Sequence, residues 1–186
     1  MNPEALDVLI EGCCNNERSS QENLYKFFYD DMYRTCLRYT DDPHIALTIL
    51  NDAFLKMFQK ISQFKNTLGP FRPWLKTIVI NTAIDHTRSL KKEARIIHID
   101  HLQEAGNDDF QINYGWNYSE MQEHFRQLPA VTRVVINLFA IDGFSHKDIA
   151  DQLNISEATS RWHVSEARKR LRSSMQLKPG KLAKHE

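Results

Sequence analysis

The sequence predicts an all-α fold made of two small helical domains joined by a flexible linker. Apolar residues recur at spacings of three and four along most of the 186 residues, which is the period of a helix. No run of useful length alternates apolar and polar side chains as a half-buried strand does. Residues 96–118 have weak periodicity and contain glycine, asparagine and aspartate. We therefore expect a first domain over 1–95, an acidic linker over 96–118 and a second domain over 119–186.

Capping residues place the helices of the first domain. Asp42 and Pro43 suit the N-cap and the first turn of a helix, which is predicted over 43–62. The segment 65–70 has the composition of a loop. A further helix is predicted over 73–92, with a proline in its first turn.

Charge is balanced overall but unevenly distributed along the chain. The protein has 24 basic and 24 acidic residues, yet residues 65–95 carry 7 basic and 2 acidic side chains. Residues 156–186 carry 8 and 3, whereas residues 100–124 carry 0 and 6. Two basic blocks separated by an acidic one suggest two surfaces that bind polyanions. Uneven surface charge without a partner is the alternative.

Cysteine and histidine usage argues against a disulfide framework, a metal site or a cofactor. Cys13, Cys14 and Cys36 are odd in number and form no Cys-x-x-Cys pair. The histidines lack metal-ligand spacing such as His-Glu-x-x-His. Neither a signal peptide nor an apolar run long enough to span a membrane is present, so a cytoplasmic protein with reduced thiols is expected.

Residues 145–172 have the pattern of a helix-turn-helix. Three or four short helices are expected between about 119 and 174. Ser145 suits the N-cap of one of them, and Ser156 suits the N-cap of a longer helix from Glu157 to about Ser173. The tight turn at 154–156 separates these two helices, as in helix-turn-helix DNA-binding proteins.

The longer helix of this motif has one apolar and one basic stripe. Steps of four, three and four residues join the members of each stripe. The inward stripe is Ser160, Val164, Ala167 and Leu171, and the outward stripe is Arg161, Ser165, Arg168 and Arg172. An exposed face with three arginines favours insertion into a DNA groove flanked by phosphates. A solvated basic face on an ordinary bundle helix is the alternative.

Aromatic and basic residues alternate between positions 64 and 88. Opened DNA needs rings and pockets that hold unstacked bases, with cations near the backbone. The aromatic members are Phe64, Phe71 and Trp74, and the basic ones are Lys65, Arg72 and Lys76. Asn81, Asp85 and Arg88 share one face of the following helix. Two alternatives stay open: the rings belong to the core, and Asp85 with Arg88 forms only a surface ion pair.

Both halves resemble the extracytoplasmic-function sigma factors of bacterial RNA polymerase. The second half resembles their region 4 in Gln127-Leu128-Pro129, Gly143-Phe144-Ser145-His146-Lys147-Asp148-Ile149-Ala150 and Ala167-Arg168-Lys169-Arg170-Leu171-Arg172. The first half resembles region 2 in Asn51-Asp52-Ala53-Phe54-Leu55-Lys56-Met57-Phe58, Trp74-Leu75 and Asn81-Thr82-Ala83. The resemblance covers roughly residues 20–92 and 119–173.

The resemblance implies a sigma factor that binds core RNA polymerase, directs promoter-specific initiation and catalyses nothing itself. Its partners would be the clamp helices and flap of the polymerase, promoter DNA and an anti-sigma factor, with no small-molecule substrate. The polymerase-binding residues would be Asn51, Asp52, Phe54, Leu55 and Phe58. The −10 element would be read by Phe64, Lys65, Phe71, Arg72, Lys76, Asn81, Asp85 and Arg88. The −35 element would be read by Arg161, Trp162, Ser165, Glu166, Arg168 and Arg172.

Glu166 departs from the family pattern, which often has a basic residue at that step. This carboxylate either reads the N4 amino group of cytosine or is turned away by an ion pair with Arg170 at i+4.

Two rival functions remain. A helix-turn-helix regulator that acts without polymerase would need a sensor or receiver domain, which residues 1–95 do not indicate. An enzyme would need a catalytic cluster, and Cys13 and Cys14 have no nearby histidine in the sequence.

Overall fold

The computed structural model describes residues 2–93 and 123–176. The chain divides into two compact units, 1–95 and 96–186, and each is considered by itself. The described residues are helices and connecting turns without a β-strand, which confirms the all-α prediction. The predicted linker at 96–118 lies outside the described residues.

The first unit has four α-helices in its described part. Two short 3₁₀ turns, Ile61–Gln63 and Asn66–Leu68, connect the third helix to the fourth. The helices are α1 (Pro3–Cys14), α2 (Arg18–Cys36), α3 (Pro43–Lys60) and α4 (Phe71–Glu93).

The start of α3 was predicted correctly. The Asp42 side chain accepts a hydrogen bond from the His44 amide at 2.8 Å, and Pro43 occupies the first turn. The predicted start of α4 was wrong by two residues, because the helix begins at Phe71 and carries Pro73 within its first turn. Proline is tolerated there, since the amides of the first turn have no partner within the helix.

Helix α1 was not predicted, although its sequence contains the signals. The Asn2 side chain accepts from the Glu4 amide at 3.1 Å, and Pro3 opens the helix. Its end approaches α2 closely, because a Cβ on Gly12 would lie 2.2 Å from Ser20 Oγ. Cys13 is buried in this contact, and burial raises the pKa of its thiol to about 11. This residue is therefore part of the core and not a reactive nucleophile.

The core of the first unit lies between α2, α3 and α4. These three helices pack against one another pairwise. Their largest fully buried side chains include Leu24, Met32, Ile49, Leu50, Phe54, Met57, Phe71, Leu75 and Val79. Burial of such side chains is the main favourable contribution to the stability of the unit.

The second unit contains three α-helices in its described part. They are α5 (Ala130–Ile136), α6 (His146–Leu153) and α7 (Glu157–Gln176). A π-helical turn, Asn137–Ile141, extends α5, and residues 123–126 are also helical. Helix α7 packs against both α5 and α6.

The capping residues of the helix-turn-helix were predicted correctly. The Ser145 side chain accepts from the Asp148 amide at 3.1 Å, and Asp148 completes a capping box. Asn154 ends α6 in the left-handed conformation with φ 51°. The Ser156 side chain then accepts from the Thr159 amide at 3.0 Å, which begins α7. The turn at 154–156 thus sets the angle at which α7 leaves α6.

Candidate nucleic-acid interface

The inner face of α7 is fixed by apolar packing and two hydrogen bonds. The predicted inward stripe is confirmed: Ser160, Val164, Ala167 and Leu171 are all at most 3% exposed. Ser160 Oγ lies 3.0 Å from Nδ1 of His146 on α6. His163 Nδ1 lies 3.0 Å from Thr132 Oγ1 on α5. These contacts settle which face of α7 points outward.

The outer face of α7 presents the predicted basic residues. Arg161 and Arg172 are exposed, whereas Arg168 and Ser165 are half-buried. Arg161 Nη2 donates to Glu157 Oε2 at 3.0 Å, one turn earlier in the helix. Trp162 is half-buried, and so its ring is only partly available to a ligand. A cationic face of this kind suits the phosphates and base edges of a DNA groove.

Glu166 is engaged by a neighbouring arginine. Arg170 Nε donates to Glu166 Oε1 at 2.5 Å, and the Glu166 side chain is only 21% exposed. The sequence left two alternatives for Glu166, contact with a cytosine or an ion pair with Arg170. The structure contains the ion pair.

The aromatic residues of the first unit form one cluster on α4 and the segment before it. The ring centroids of Phe64 and Phe71 lie 5.1 Å apart, and both rings lie within 5.4 Å of Trp74. Phe71 also contacts Phe28 of α2 and is 2% exposed. The expectation that Phe71 contacts the −10 element is therefore corrected, because its ring is part of the core. Phe64 and Trp74 are half-buried.

The segment 65–70 connects Phe64 to Phe71, two members of this aromatic cluster. Lys65 is exposed, and Leu68 is 84% exposed. Gly69 has φ 141°, a conformation that residues with a side chain rarely adopt. Asn66 Nδ2 donates to Oδ1 of Asp7 on α1 at 2.8 Å. We call residues 65–70 the promoter loop, because the resemblance assigns Lys65, and Phe64 and Phe71 on either side of the segment, to the −10 element.

Arg72 is held against α2 at the exit of this loop. Arg72 Nε donates to Asp31 Oδ2 at 2.7 Å. This hydrogen bond lowers the pKa of the Asp31 carboxyl and raises the pKa of the Arg72 guanidinium. Lys76 follows one turn later and is half-buried. Cationic side chains therefore continue from the loop onto α4.

Asp85 is the centre of an ion-pair group on α3 and α4. Lys56 Nζ lies 3.2 Å from Asp85 Oδ2, and Arg88 Nη1 lies 3.8 Å from Asp85 Oδ1. The structure therefore contains the Asp85–Arg88 surface ion pair, which was one of the alternatives left open by the sequence. Lys56 is a third member of the group, and the sequence did not suggest it. Asn81 lies exposed one turn before Asp85.

The exposed face of α3 bears part of the predicted polymerase-binding set. Asn51 and Asp52 are exposed, and Leu55 is 58% exposed. Phe58 is half-buried. Phe54 is 2% exposed, so its assignment to the surface is corrected: the ring packs in the core against the Tyr25 ring at 4.6 Å.

A row of tyrosines on α2, which sequence reasoning missed, lies beside this face. Tyr25, Tyr29 and Tyr33 follow one another at 5.6 Å between ring centroids. The Tyr25 hydroxyl donates to Asn51 Oδ1 at 2.9 Å, which joins the row to α3. Their spacing of four residues was the signal available in the sequence.

Two further observations concern sites of other kinds. Within residues 2–93 and 123–176, no group of three or more His, Cys, Asp or Glu side chains is placed to hold a metal ion. In the same ranges, no helix combines the length and apolar character needed to cross a bilayer.

Comparison with known proteins decides the family. The family model for Sigma-70 region 2 matches residues 24–93, and that for Sigma-70, region 4 matches residues 119–171. The chain is 25% identical over 163 residues to the ECF RNA polymerase sigma factor SigM of Bacillus subtilis, covering 82% of this chain and 93% of SigM. It is 27% identical over 169 residues to SigL of Mycobacterium tuberculosis, covering 90% and 95%. The chain belongs to the extracytoplasmic-function sigma factors.

A solved sigma factor has the same fold. The sigma factor RpoE, in complex with the anti-sigma factor NepR from Bartonella quintana, is 20% identical, with a TM-score of 0.50. The match covers 85% of this chain and 98% of RpoE. As a sigma factor, the protein binds core RNA polymerase and promoter DNA and directs transcription initiation, which confirms the predicted function and these two partners.

Proposed function

We propose that this sigma factor divides promoter recognition between its two units. The first unit binds the clamp helices of the polymerase and reads the −10 element. The second unit reads the −35 element with α7 and contacts the flap. The protein catalyses no reaction itself, because RNA synthesis is the chemistry of the polymerase, and it acts in the cytoplasm.

The observation that carries this proposal is the two-sided character of α7. One face is buried through Ser160, Val164, Ala167 and Leu171, and the opposite face presents Arg161 and Arg172 to solvent. A helix held in this way by a helix-turn-helix can enter a major groove as a rigid body. Arg161 lies nearer the N-terminal end, which contacts bases in such motifs, and Arg172 lies where the helix reaches phosphates.

The −10 role rests on the promoter loop and the adjacent face of α4. Lys65 and Leu68 are exposed, and the nearby rings of Phe64 and Trp74 are half-buried. Rings and apolar side chains hold bases that have left the stack, and nearby cations hold the backbone. Asn81 and Arg88 extend this surface along α4, with Asp85 holding Arg88 through an ion pair.

The polymerase role rests on the exposed face of α3. Asp52 and Leu55 lie three residues apart and so share a face, which also contains Asn51. Leu55 offers apolar area to a partner, and Asn51 and Asp52 offer polar groups at its edge, as interfaces combine an apolar centre with a polar rim. An anti-sigma factor that covers the same face would prevent polymerase binding, and RpoE in complex with NepR supports this class of partner.

Binding measurements with and without polymerase test the proposal. The protein alone is expected to bind promoter duplex weakly and in a salt-dependent way, because its small basic surfaces make few phosphate contacts. Addition of core polymerase should produce tight binding confined to promoters with both elements. Tight sequence-specific binding by the protein alone would instead indicate a conventional DNA-binding regulator.

A further inference from the structure

We infer that Asp7 of α1 is a positioning residue for the promoter loop. The inference rests on the proposed −10 role of that loop and deepens it. Helix α1 lies before the segment matched by the region 2 family model, which begins at residue 24. The Asp7–Asn66 hydrogen bond joins residues that are 59 positions apart in the sequence.

Helix α1 is a firm support for such a tether. Its C-terminal end fits closely against α2, because Gly12 leaves no room for a Cβ beside Ser20. The Glu17 amide donates to the Gly12 carbonyl at 2.9 Å across the turn, where Asn16 adopts φ 59°. Helix α1 also packs against the 3₁₀ turn Ile61–Gln63, which leads directly into the promoter loop.

The promoter loop has few restraints of its own. Phe64 and Phe71 anchor its two ends in the aromatic cluster. Between them, the described contacts are two backbone hydrogen bonds, from Leu68 and Gly69, and the side-chain bond from Asn66. Among the described residues, Asp7 thus provides the side-chain hydrogen bond that reaches the middle of the loop from outside it.

The chemistry of the pair fixes the orientation of Asn66. A carboxylate only accepts hydrogen bonds, so the amide nitrogen of Asn66 must face Asp7. The amide oxygen then faces away, and the 3₁₀ turn Asn66–Leu68, which begins at Asn66, leaves Leu68 exposed to solvent. A loop held in its binding conformation loses less entropy when it captures a base, which favours the base that fits that conformation.

Transcription by the complete holoenzyme from a promoter library randomised across the −10 element tests the inference. Asp7→Ala is expected to lower the ratio of preferred to disfavoured bases at one or two −10 positions by about threefold to tenfold. Asn66→Ala should have the same effect, and the double variant should lose no more than either single one. Asp7→Asn, whose amide oxygen still accepts a hydrogen bond, should keep the preference within about twofold.

Glu11→Ala is the matched control, because Glu11 is an exposed acid on the same helix. Unchanged base preference in Asp7→Ala, additive effects in the double variant, or an equal loss in Glu11→Ala or Asp7→Asn would overturn the inference. A proportional drop in transcription at every promoter would overturn it too, since Asp7 would then stabilise the folded unit and not the base preference of the loop. Failure of the wild-type protein to initiate at any promoter would count against the proposed function itself, which keeps the two failures distinct.

Discussion

Arg170 Nε donates to Glu166 Oε1 at 2.5 Å, one turn along α7. The pair turns an acid away from the helix face that carries Arg161 and Arg172. We therefore predict that Glu166→Ala leaves base preference at every −35 position unchanged and lowers the free energy of unfolding by only about 0.2–0.5 kcal/mol, the contribution of an ion pair at i, i+4 on a helix. A selection from a −35 library with the holoenzyme measures the preference, and a change at one position would show that Glu166 reads a base.

Arg161→Ala is expected to relax the preference at one −35 position. A bidentate contact between arginine and guanine contributes roughly 1–3 kcal/mol of discrimination. In the free protein Arg161 is paired with Glu157 at 3.0 Å, so it must exchange this partner for the base. Arg172→Ala serves as the comparison and should weaken all sequences alike, with a smaller salt slope. If Arg161→Ala shifts every −35 sequence equally, Arg161 contacts phosphate and not a base.

Asp52→Arg combined with Leu55→Ala should weaken binding to core polymerase by about 2 kcal/mol or more, the effect of losing central interface residues. Phe54 is left intact, because removing a buried phenylalanine costs about 3–5 kcal/mol and would unfold much of the protein. Affinity is measured with labelled protein and purified core enzyme.

The matched control for this surface lies on α1. Val8 is 67% exposed and Glu11 is exposed, and they have the same spacing as the test pair. Val8→Ala with Glu11→Arg should leave the affinity unchanged. If both double variants bind core polymerase with equal affinity, the exposed face of α3 does not contact the polymerase.

His146 should make the stability of the second unit depend on pH. Burial lowers the pKa of its imidazole, and the nearby guanidinium groups of Arg161 and Arg168 add to this while Glu157 opposes it. The ring stacks on Phe139 at 4.4 Å between centroids. With a folded pKa below the ordinary value of about 6.5, the unfolded chain binds more protons as the pH falls. The stabilisation is complete above that value and is lost as the pH falls through the folded pKa.

Unfolding of the full chain between pH 5 and 8 measures this dependence. His146→Gln should flatten the slope of unfolding free energy against pH. An unchanged slope in His146→Gln would mean that other groups cause the dependence.

Local signals in the sequence were enough to predict the helix-turn-helix. Ser145, Asn154 and Ser156 act through hydrogen bonds within a few residues, so their roles can be deduced from neighbouring positions. The two stripes of α7 follow from helical period alone, and both were assigned to the correct face.

The sequence was less informative where contacts join distant segments. Phe54 was assigned to a surface from the family resemblance and Phe71 from its place among basic residues, yet long-range packing against Tyr25 and Phe28 buries them. The Asp7–Asn66 bond joins a helix to a loop and the Lys56–Asp85 pair joins two helices, so neither contact leaves a periodic trace in the chain. Helix α1 is a different case, because its cap at Asn2 and Pro3 is a local signal of the same kind as the one that begins α3.

Promoter selection by the polymerase through both units of this protein can be measured directly. Purified core polymerase is mixed with the protein on genomic DNA, and the start of every transcript is mapped. We expect a small set of start sites that share one −35 and one −10 sequence and that disappear when the protein is omitted. Start sites that are the same with and without the protein, or that share no upstream sequence, would contradict the assignment of promoter recognition to this chain.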